Sequence, residues 1–173
     1  MLYLLVRKLR PEIVVETGVA RGFSSAYMLL AMHQNGRGHL YSIDLPAQQV
    51  AVEEDPARAS HRYTLSDGQK HSQYEIGYIV PEYLKHRWTL LLEDARQALP
   101  ELLNKLGTID IFYHDSLHTY EHMNFEFDAA WPHLKEGGLL LSDDVLWNNA
   151  FHEICKAQGK KPMIYRSFGM LQK

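Results

Sequence analysis

Residues 13–25 read IVVETGVARGFSS, and this stretch decides the fold. Its first part, Ile13–Thr17, is rich in β-branched residues, which is typical of a buried strand. The periodicity of residues 23–35 predicts a helix. Between them, Gly18 and Gly22 allow a tight turn and a close approach of the backbone to a ligand. The stretch therefore predicts a strand, a glycine turn and a helix, which form the first unit of an open α/β sheet.

The alternation of strand and helix continues along the chain. We expect further strands at 40–44, 88–93, 109–114 and 139–142, short strands at 163–166 and 170–172 that pair antiparallel, and helices at 74–86, 95–106, 119–134 and 147–158. Pro81 should kink its helix or start a new turn. The polar stretch 46–73 is the one sizeable candidate for a lid over a site. This order predicts one domain over residues 1–173, built on a largely parallel sheet.

Length, charge and composition exclude several classes of protein. The chain has 173 residues, 46% of them hydrophobic, which is too apolar for a disordered protein. Its net charge of −3 does not favour binding to nucleic acid or to an anionic membrane surface. No apolar run is long enough for a membrane helix, and the N-terminus does not resemble a signal peptide. A single cysteine, Cys155, fits a reducing compartment, so we expect a cytoplasmic location.

A carboxylate follows each of the first five predicted strands. Ligands of open α/β sheets bind beyond the carboxyl ends of the strands, so these ends are where a site is expected. The acids at these ends are Glu16, Asp44, Asp94, Asp115 and the pair Asp143-Asp144.

The first two strand ends favour an adenosine-type ligand. The glycine spacing is G-x-x-x-G, with Ala20 where a dinucleotide fingerprint would have its middle glycine, so a pyrophosphate fits less well than one compact polar group. Asp44, 22 positions after Gly22, is placed to accept hydrogen bonds from ribose hydroxyls. Asp94 is placed to accept a bond from an adenine amine. The alternative is an ordinary turn, in which Ser24 or Ser25 caps the helix and Asp44 is a solvated loop carboxylate.

The fourth and fifth strand ends suggest a metal ion and a base. If their strands are neighbours, Asp115, Asp143 and Asp144 converge, and unpaired they would repel until one takes up a proton. A divalent ion such as Mg²⁺, Ca²⁺ or Mn²⁺ would remove that conflict. Alternatively, Asp143 or Asp144 caps the next helix while Asp115 contacts the ligand. His118 lies near the same edge, where a neutral imidazole can take a proton from a bound hydroxyl.

The ordered set of motifs resembles a known family. The stretches ETGVARGFSS, YSID and LLEDA are similar to motifs of class I S-adenosylmethionine-dependent methyltransferases. The later stretches IDIFYHDSLHTYEH and LKEGGLLLSDDV resemble the branch that contains macrocin-type O-methyltransferases and cephalosporin-hydroxylase-like proteins. The resemblance runs from about Ile13 to the last residue of the sequence.

This resemblance implies a fold, a cofactor and roles for the strand-end residues. It implies a Rossmann-like, doubly wound sheet of seven strands, with the last strand antiparallel and beside the fifth. It also implies S-adenosyl-L-methionine as cofactor and, as in metal-dependent members, a divalent metal, Mg²⁺ being the first choice. The implied cofactor-binding residues are Glu16, Thr17, Gly18, Gly22, Ser24, Asp44, Asp94 and Asp115; the implied metal ligands are Asp115, Asp143 and Asp144; the implied catalytic residues are His118 and Asp115.

The sequence therefore predicts a methyltransferase that acts on a hydroxyl of a small molecule, with metal assistance. Only twelve residues precede the first strand, whereas the resembling proteins carry N-terminal helices or a domain that shapes the acceptor pocket. A partner subunit of a homo-oligomer is one way to complete that pocket. Two rival functions stay open: a non-catalytic or partner-dependent cofactor-binding module, and an NAD-dependent oxidoreductase.

Overall fold

The strand β1 (Ile13–Thr17) lies at the centre of the sheet, where four of its five residues are buried. It pairs in parallel with β2 (His39–Asp44) on one side and with β4 (Ile109–His114) on the other. The backbone nitrogen of Ile13 also donates to Oδ2 of Asp110, 97 positions further along the chain. The computed structural model describes residues 1–45 and 75–173, so the lid expected over 46–73 lies outside the described residues.

The complete sheet has seven strands in the order β3-β2-β1-β4-β5-β7-β6. The remaining strands are β3 (Trp88–Leu92), β5 (Leu134–Ser142), β6 (Met163–Tyr165) and β7 (Phe168–Gln172). β7 runs antiparallel between β5 and β6. The predicted Rossmann-like sheet is confirmed, including the antiparallel last strand beside the fifth.

In residues 1–45 and 75–173, five α-helices cover the two faces of the sheet. They are α1 (Leu2–Leu9), α2 (Phe23–Asn35), α3 (Ala95–Leu106), α4 (Tyr120–Ala130) and α5 (Ala150–Ala157). On one face, Met28 and Leu29 of α2 and Val6 of α1 share a core with Val14. On the other, Phe127 of α4 and Phe151 of α5 pack with Phe112. No helix in the described ranges is both long and apolar enough to cross a membrane.

Prolines and glycines account for most of the differences from the predicted elements. Residues 76–79 form turns, and Pro81 precedes a 3-10 helix over Glu82–Arg87, so the α-helix predicted at 74–86 is wrong in its described part. The predicted helix 119–134 ends at Ala130, where a 3-10 turn containing Pro132 leads into β5. A proline has no backbone N–H to donate to an α-helix, so such segments tighten or end.

Two further boundaries differ. The strand predicted at 139–142 begins already at Leu134, so Gly137 and Gly138 lie inside β5. The last helix begins at Ala150 and not at Trp147, because a turn closes between the Trp147 nitrogen and the Asp144 carbonyl. Helix α1 was not predicted, and it contributes Val6 to the core.

Candidate active site

The turn between β1 and α2, here called the glycine loop (residues 18–22), lies against the end of β4. Gly18 has φ +82°, and a Cβ built on it would lie 2.0 Å from the carbonyl oxygen of Asp115. The Asp115 nitrogen donates to the Thr17 carbonyl at 2.9 Å. Gly22, at φ +94°, is packed in turn against Gly77 and Val80. Only glycine at position 18 lets the loop and the β4 end approach this closely.

Asp44, at the end of β2, holds the glycine loop in place. Its Oδ2 accepts the backbone N–H groups of Val19 at 2.9 Å and Ala20 at 2.7 Å, while Oδ1 accepts the N–H of Leu45. The residue is half-buried, so part of it faces solvent at this edge of the sheet. A ribose hydroxyl bound here would share the carboxylate with the loop, and this role stays a prediction.

Asp94 is exposed and caps α3. Its Oδ1 accepts the N–H of Arg96 at 2.8 Å, which satisfies one of the free donors of the first helical turn. In the described residues, the cap uses only Oδ1 of Asp94. Asp94 follows β3, and this is the position expected for an adenine contact. That contact is likewise still a prediction.

Glu16 has a supporting position beneath the glycine loop. It is fully buried, and its two oxygens accept hydroxyls from Ser24 at 2.5 Å, Ser25 at 2.6 Å and Ser42 at 2.6 Å. Burial raises the pKa of Glu16, although the three serine bonds act against that rise. The buried carboxyl group therefore ties β1 to β2 and α2.

Glu126 of α4 is the functional-site residue that sequence reasoning missed. It is fully buried, and four side chains converge on it: Thr17 Oγ1 at 2.6 Å, His114 Nδ1 at 2.6 Å, Ser116 Oγ at 2.8 Å and His122 Nε2 at 2.8 Å. Burial by itself would raise the pKa of Glu126, but His114 and His122 outweigh burial and hold it below its ordinary value. The signal in the sequence is an acid beside Met123 and Phe127 on the apolar face of a helix.

His118 lies in the loop between β4 and α4 and faces two of the predicted acids. Its Nε2 is 3.9 Å from Oδ1 of Asp115 and 3.9 Å from Oδ2 of Asp144. This nitrogen is buried and has no hydrogen-bond partner within the described part of the chain. Burial, followed by the neighbouring His114, lowers the pKa of His118 to about 4. The imidazole is therefore neutral near pH 7 and able to accept a proton.

Asp115 joins the glycine loop to His118. Its Oδ2 accepts the hydroxyl of Tyr113 at 3.0 Å, and Oδ1 is the atom that faces His118. Burial, followed by the nearby Asp143, raises the pKa of Asp115 to about 8. Protonation of Asp115 thus reduces the electrostatic repulsion among these acids, as expected where like charges lie close together.

The expected metal site is not formed by the side chains that the structure describes. No group of three or more His, Cys, Asp or Glu side chains in residues 1–45 and 75–173 could hold a metal ion. Oδ1 of Asp143 accepts the N–H of Asp144 and the hydroxyl of Ser167, and Asp115 is held by Tyr113. Neither Asp143 nor Asp144 caps α5, which follows Asn149. The prediction of Asp115, Asp143 and Asp144 as a ligand set therefore does not fit this arrangement.

A parallel sheet with a glycine loop after its first strand and an acid after its second defines a class of proteins that bind an adenosine-type cofactor at this edge. Comparison with known families makes this specific. Residues 15–145 match the family described as "Methyltransferase domain", and the chain belongs to that family. It is a methyltransferase, with S-adenosylmethionine as the methyl donor.

Solved structures share the fold over nearly the whole chain. CalS11, a calicheamicin methyltransferase, is 19% identical, with 99% of this chain and 75% of that chain covered and a TM-score of 0.63. A Klebsiella pneumoniae protein, provisionally described as an O-methyltransferase, is 16% identical, with 99% and 76% covered and a TM-score of 0.64. Cofactor-bound Rv0187 from MTB is 16% identical, with 98% and 76% covered and a TM-score of 0.62. No curated protein matches the chain.

Proposed function

We propose that this chain methylates a hydroxyl oxygen of a small-molecule acceptor and that His118 takes the hydroxyl proton. The observation that carries the proposal is the buried Nε2 of His118, which has no hydrogen-bond partner among the described residues and lies beside the β4 end that contacts the glycine loop. With its proton on Nδ1, a neutral imidazole has an acceptor at Nε2 that lacks a donor, and a substrate hydroxyl supplies one.

The residues of the sheet edge fit the cofactor. Gly18 and Gly22 shape the loop, Asp44 is placed to accept the ribose hydroxyls and Asp94 the adenine amine. Glu16, Thr17 and Ser24 act in this proposal through the loop that they support. When bound, S-adenosylmethionine supplies a methyl group on a positively charged sulfur.

The methyl transfer requires no reactant besides the cofactor and the acceptor. The acceptor oxygen forms a bond to the methyl carbon while the carbon–sulfur bond breaks, and its electron pair stays on the sulfur. The hydroxyl proton passes to Nε2 of His118, which then releases it to solvent. Asp115, protonated near pH 7, adds no negative charge beside the imidazole and can donate a hydrogen bond to the acceptor oxygen. The proposal assigns no step to a metal ion, because the expected ligand set does not fit.

The oxygen specificity is supported by this base and by the O-methyltransferase description of the Klebsiella pneumoniae neighbour, which concerns that protein. We also propose a small-molecule acceptor, a cytoplasmic location and a homo-oligomer. Methyl transfer to a hydroxyl needs a base or a positioned hydrogen-bond donor at the oxygen. The NAD-dependent alternative needs a pyrophosphate site, which the G-x-x-x-G spacing does not favour.

The test begins with calorimetric titration of the full chain with S-adenosylhomocysteine, using NADH as the control ligand. It continues with the release of S-adenosylhomocysteine from S-adenosylmethionine in the presence of hydroxyl compounds, for the wild type, His118→Gln and the matched control His152→Gln. His152 is exposed on α5. We expect His118→Gln to lower kcat about 10²–10⁴-fold while binding S-adenosylhomocysteine normally. Unchanged kcat in His118→Gln, or a preference for NADH, would refute the proposal.

A further inference from the structure

A cavity of about 530 Å³ opens next to the candidate site, between the start of α1, helix α2, the carboxyl ends of β4 and β5 and the first residue of β7. Residues 1–4 form one wall, and Tyr27 and Leu30 of α2 form the next. Tyr113 of β4, Phe168 of β7 and the acid Asp143 close the inner end. The side chains of these lining residues are aromatic or aliphatic except for the carboxylate of Asp143.

Tyr113 connects the inner end of this cavity to the proposed reacting groups. The hydroxyl of Tyr113 donates to Oδ2 of Asp115, and Oδ1 of the same carboxyl group faces Nε2 of His118. Asp115 therefore lies between the cavity and the proposed base. A molecule in the cavity would have its far end beside Asp143 and Asp115, where the proposed transfer occurs.

The polar atoms of the cavity are few, and most already have partners. The hydroxyl of Tyr3 donates to Gln34, and that of Tyr113 donates to Asp115. Among the described residues, Asp143 has the only charged side chain in this lining. A molecule with many hydroxyl groups would leave several of them unpaired, and each lowers affinity by about tenfold or more. One hydroxyl at the inner end can be satisfied, and a flat apolar body suits the remainder.

From these contacts, and building on the proposed function, we propose that the acceptor is a planar, mainly apolar hydroxyl compound, such as a phenol with one or two fused rings, whose body occupies this cavity. Tyr27 is the residue that determines this specificity. Its side chain is 56% exposed on the cavity wall, where an aromatic ligand can stack on it. A pyranose-type acceptor is disfavoured by the same lining.

The experiment compares 2-naphthol with a methyl glucoside, using the full chain saturated with S-adenosylhomocysteine for binding and supplied with S-adenosylmethionine for turnover. Tyr27→Ala is compared with Tyr165→Ala, an equally exposed tyrosine on β6 outside the cavity. We expect 2-naphthol to bind at least about tenfold more tightly than the glucoside, and Tyr27→Ala to weaken naphthol binding and raise its KM about tenfold, with kcat and S-adenosylhomocysteine affinity little changed. Tyr165→Ala should behave like the wild type.

The outcomes separate this inference from the proposed function. Tighter binding of the glucoside, or naphthol binding that Tyr27→Ala leaves unchanged, overturns the inference; if the glucoside is then methylated in a His118-dependent way, the proposed function stands. Naphthol binding that depends on Tyr27 supports the cavity assignment even if no hydroxyl compound is methylated. In that last case the proposed transfer to oxygen is the part that fails.

Discussion

Nδ1 of His114 lies 2.6 Å from Oε2 of Glu126, and both side chains are fully buried. Because Thr17 donates to the same glutamate oxygen, one carboxylate on α4 holds the ends of the two central strands, β1 and β4. The glycine loop and the loop that carries His118 both start from these ends. The geometry of the candidate site therefore depends on a residue that lies behind it.

Replacing Glu126 with Gln should destabilise the fold strongly. The amide keeps the shape but loses the negative charge, and its NH₂ group faces donors that previously had an acceptor. A buried polar group left without its partner costs about 1–3 kcal/mol, so a loss of at least that size is expected in the free energy of unfolding, measured with urea. Glu101→Gln, at an exposed position of α3, is the control and should change stability by less than about 0.5 kcal/mol. Equal effects in the two variants would contradict the role assigned to Glu126.

Two glycines with similar backbone angles provide a matched test of the glycine loop. Gly18 and Gly36 have φ of +82° and +69°, so alanine is strained at both positions. Only at Gly18 does the new Cβ meet backbone, whereas nothing lies within 4 Å of the Cβ at Gly36. Gly36→Ala should cost about 1–2 kcal/mol of stability. Gly18→Ala should cost clearly more and abolish S-adenosylhomocysteine binding, as seen by urea unfolding and calorimetry; similar losses in both would show that the contact with Asp115 is unimportant.

Asp115→Asn should change the pH dependence of stability. The pKa of Asp115 is raised from its ordinary 3.8 to about 8 in the folded chain, so its contribution to stability is complete below pH 3.8 and is lost as the pH rises through 8. Asparagine stays neutral, so the variant should gain stability relative to the wild type between pH 4 and pH 8, and the difference should level off above pH 8. Urea midpoints at pH 5, 7 and 9 measure this. A difference that does not vary with pH would mean that Asp115 is ionised in the folded chain.

Asp44→Ala should weaken cofactor binding because it releases the glycine loop. The substitution removes the acceptor for the backbone N–H groups of Val19 and Ala20 as well as the proposed ribose contact. Affinity for S-adenosylhomocysteine should fall at least about tenfold, since charged hydrogen bonds contribute about 1.5–3 kcal/mol each. Asp128→Ala, at an exposed position of α4, is the calorimetric control and should bind normally. Retained affinity in Asp44→Ala would remove Asp44 from the site.

The central strands were predictable because local chemistry determines them, whereas the place of the last strand beside the fifth came from the family resemblance. Ile13–Thr17 and Ile109–His114 are central strands whose sequences are mostly apolar, and their bounds are confirmed. The bounds of α2 and α3 are confirmed as well, since Gly36 and Gly107 follow their last turns. Helix α1 was missed because it is only eight residues long and has no side-chain cap.

The candidate site was predictable in its position but less so in its contacts. The strand-end rule places Asp44, Asp94, Asp115 and His118 at one edge of the sheet, where the structure has them. It does not reveal that Thr17 and His114 turn toward Glu126, because these residues are separated by up to 109 positions and meet only through tertiary packing. Nor does it decide between a metal ion and a protonated carboxyl group at Asp115, since that balance depends on burial.

The pairing of β1 with β4 has a consequence for how the chain folds during synthesis. Ile13 and Asp110 are hydrogen-bonded although 97 residues separate them, so the central strand lacks one neighbour until about two thirds of the protein has left the ribosome. Until then, apolar surfaces of β1 and α2 stay uncovered, and contacts of such long sequence separation form slowly. Nascent chains should therefore be prone to aggregation and should benefit from chaperones or slow translation before β4 emerges.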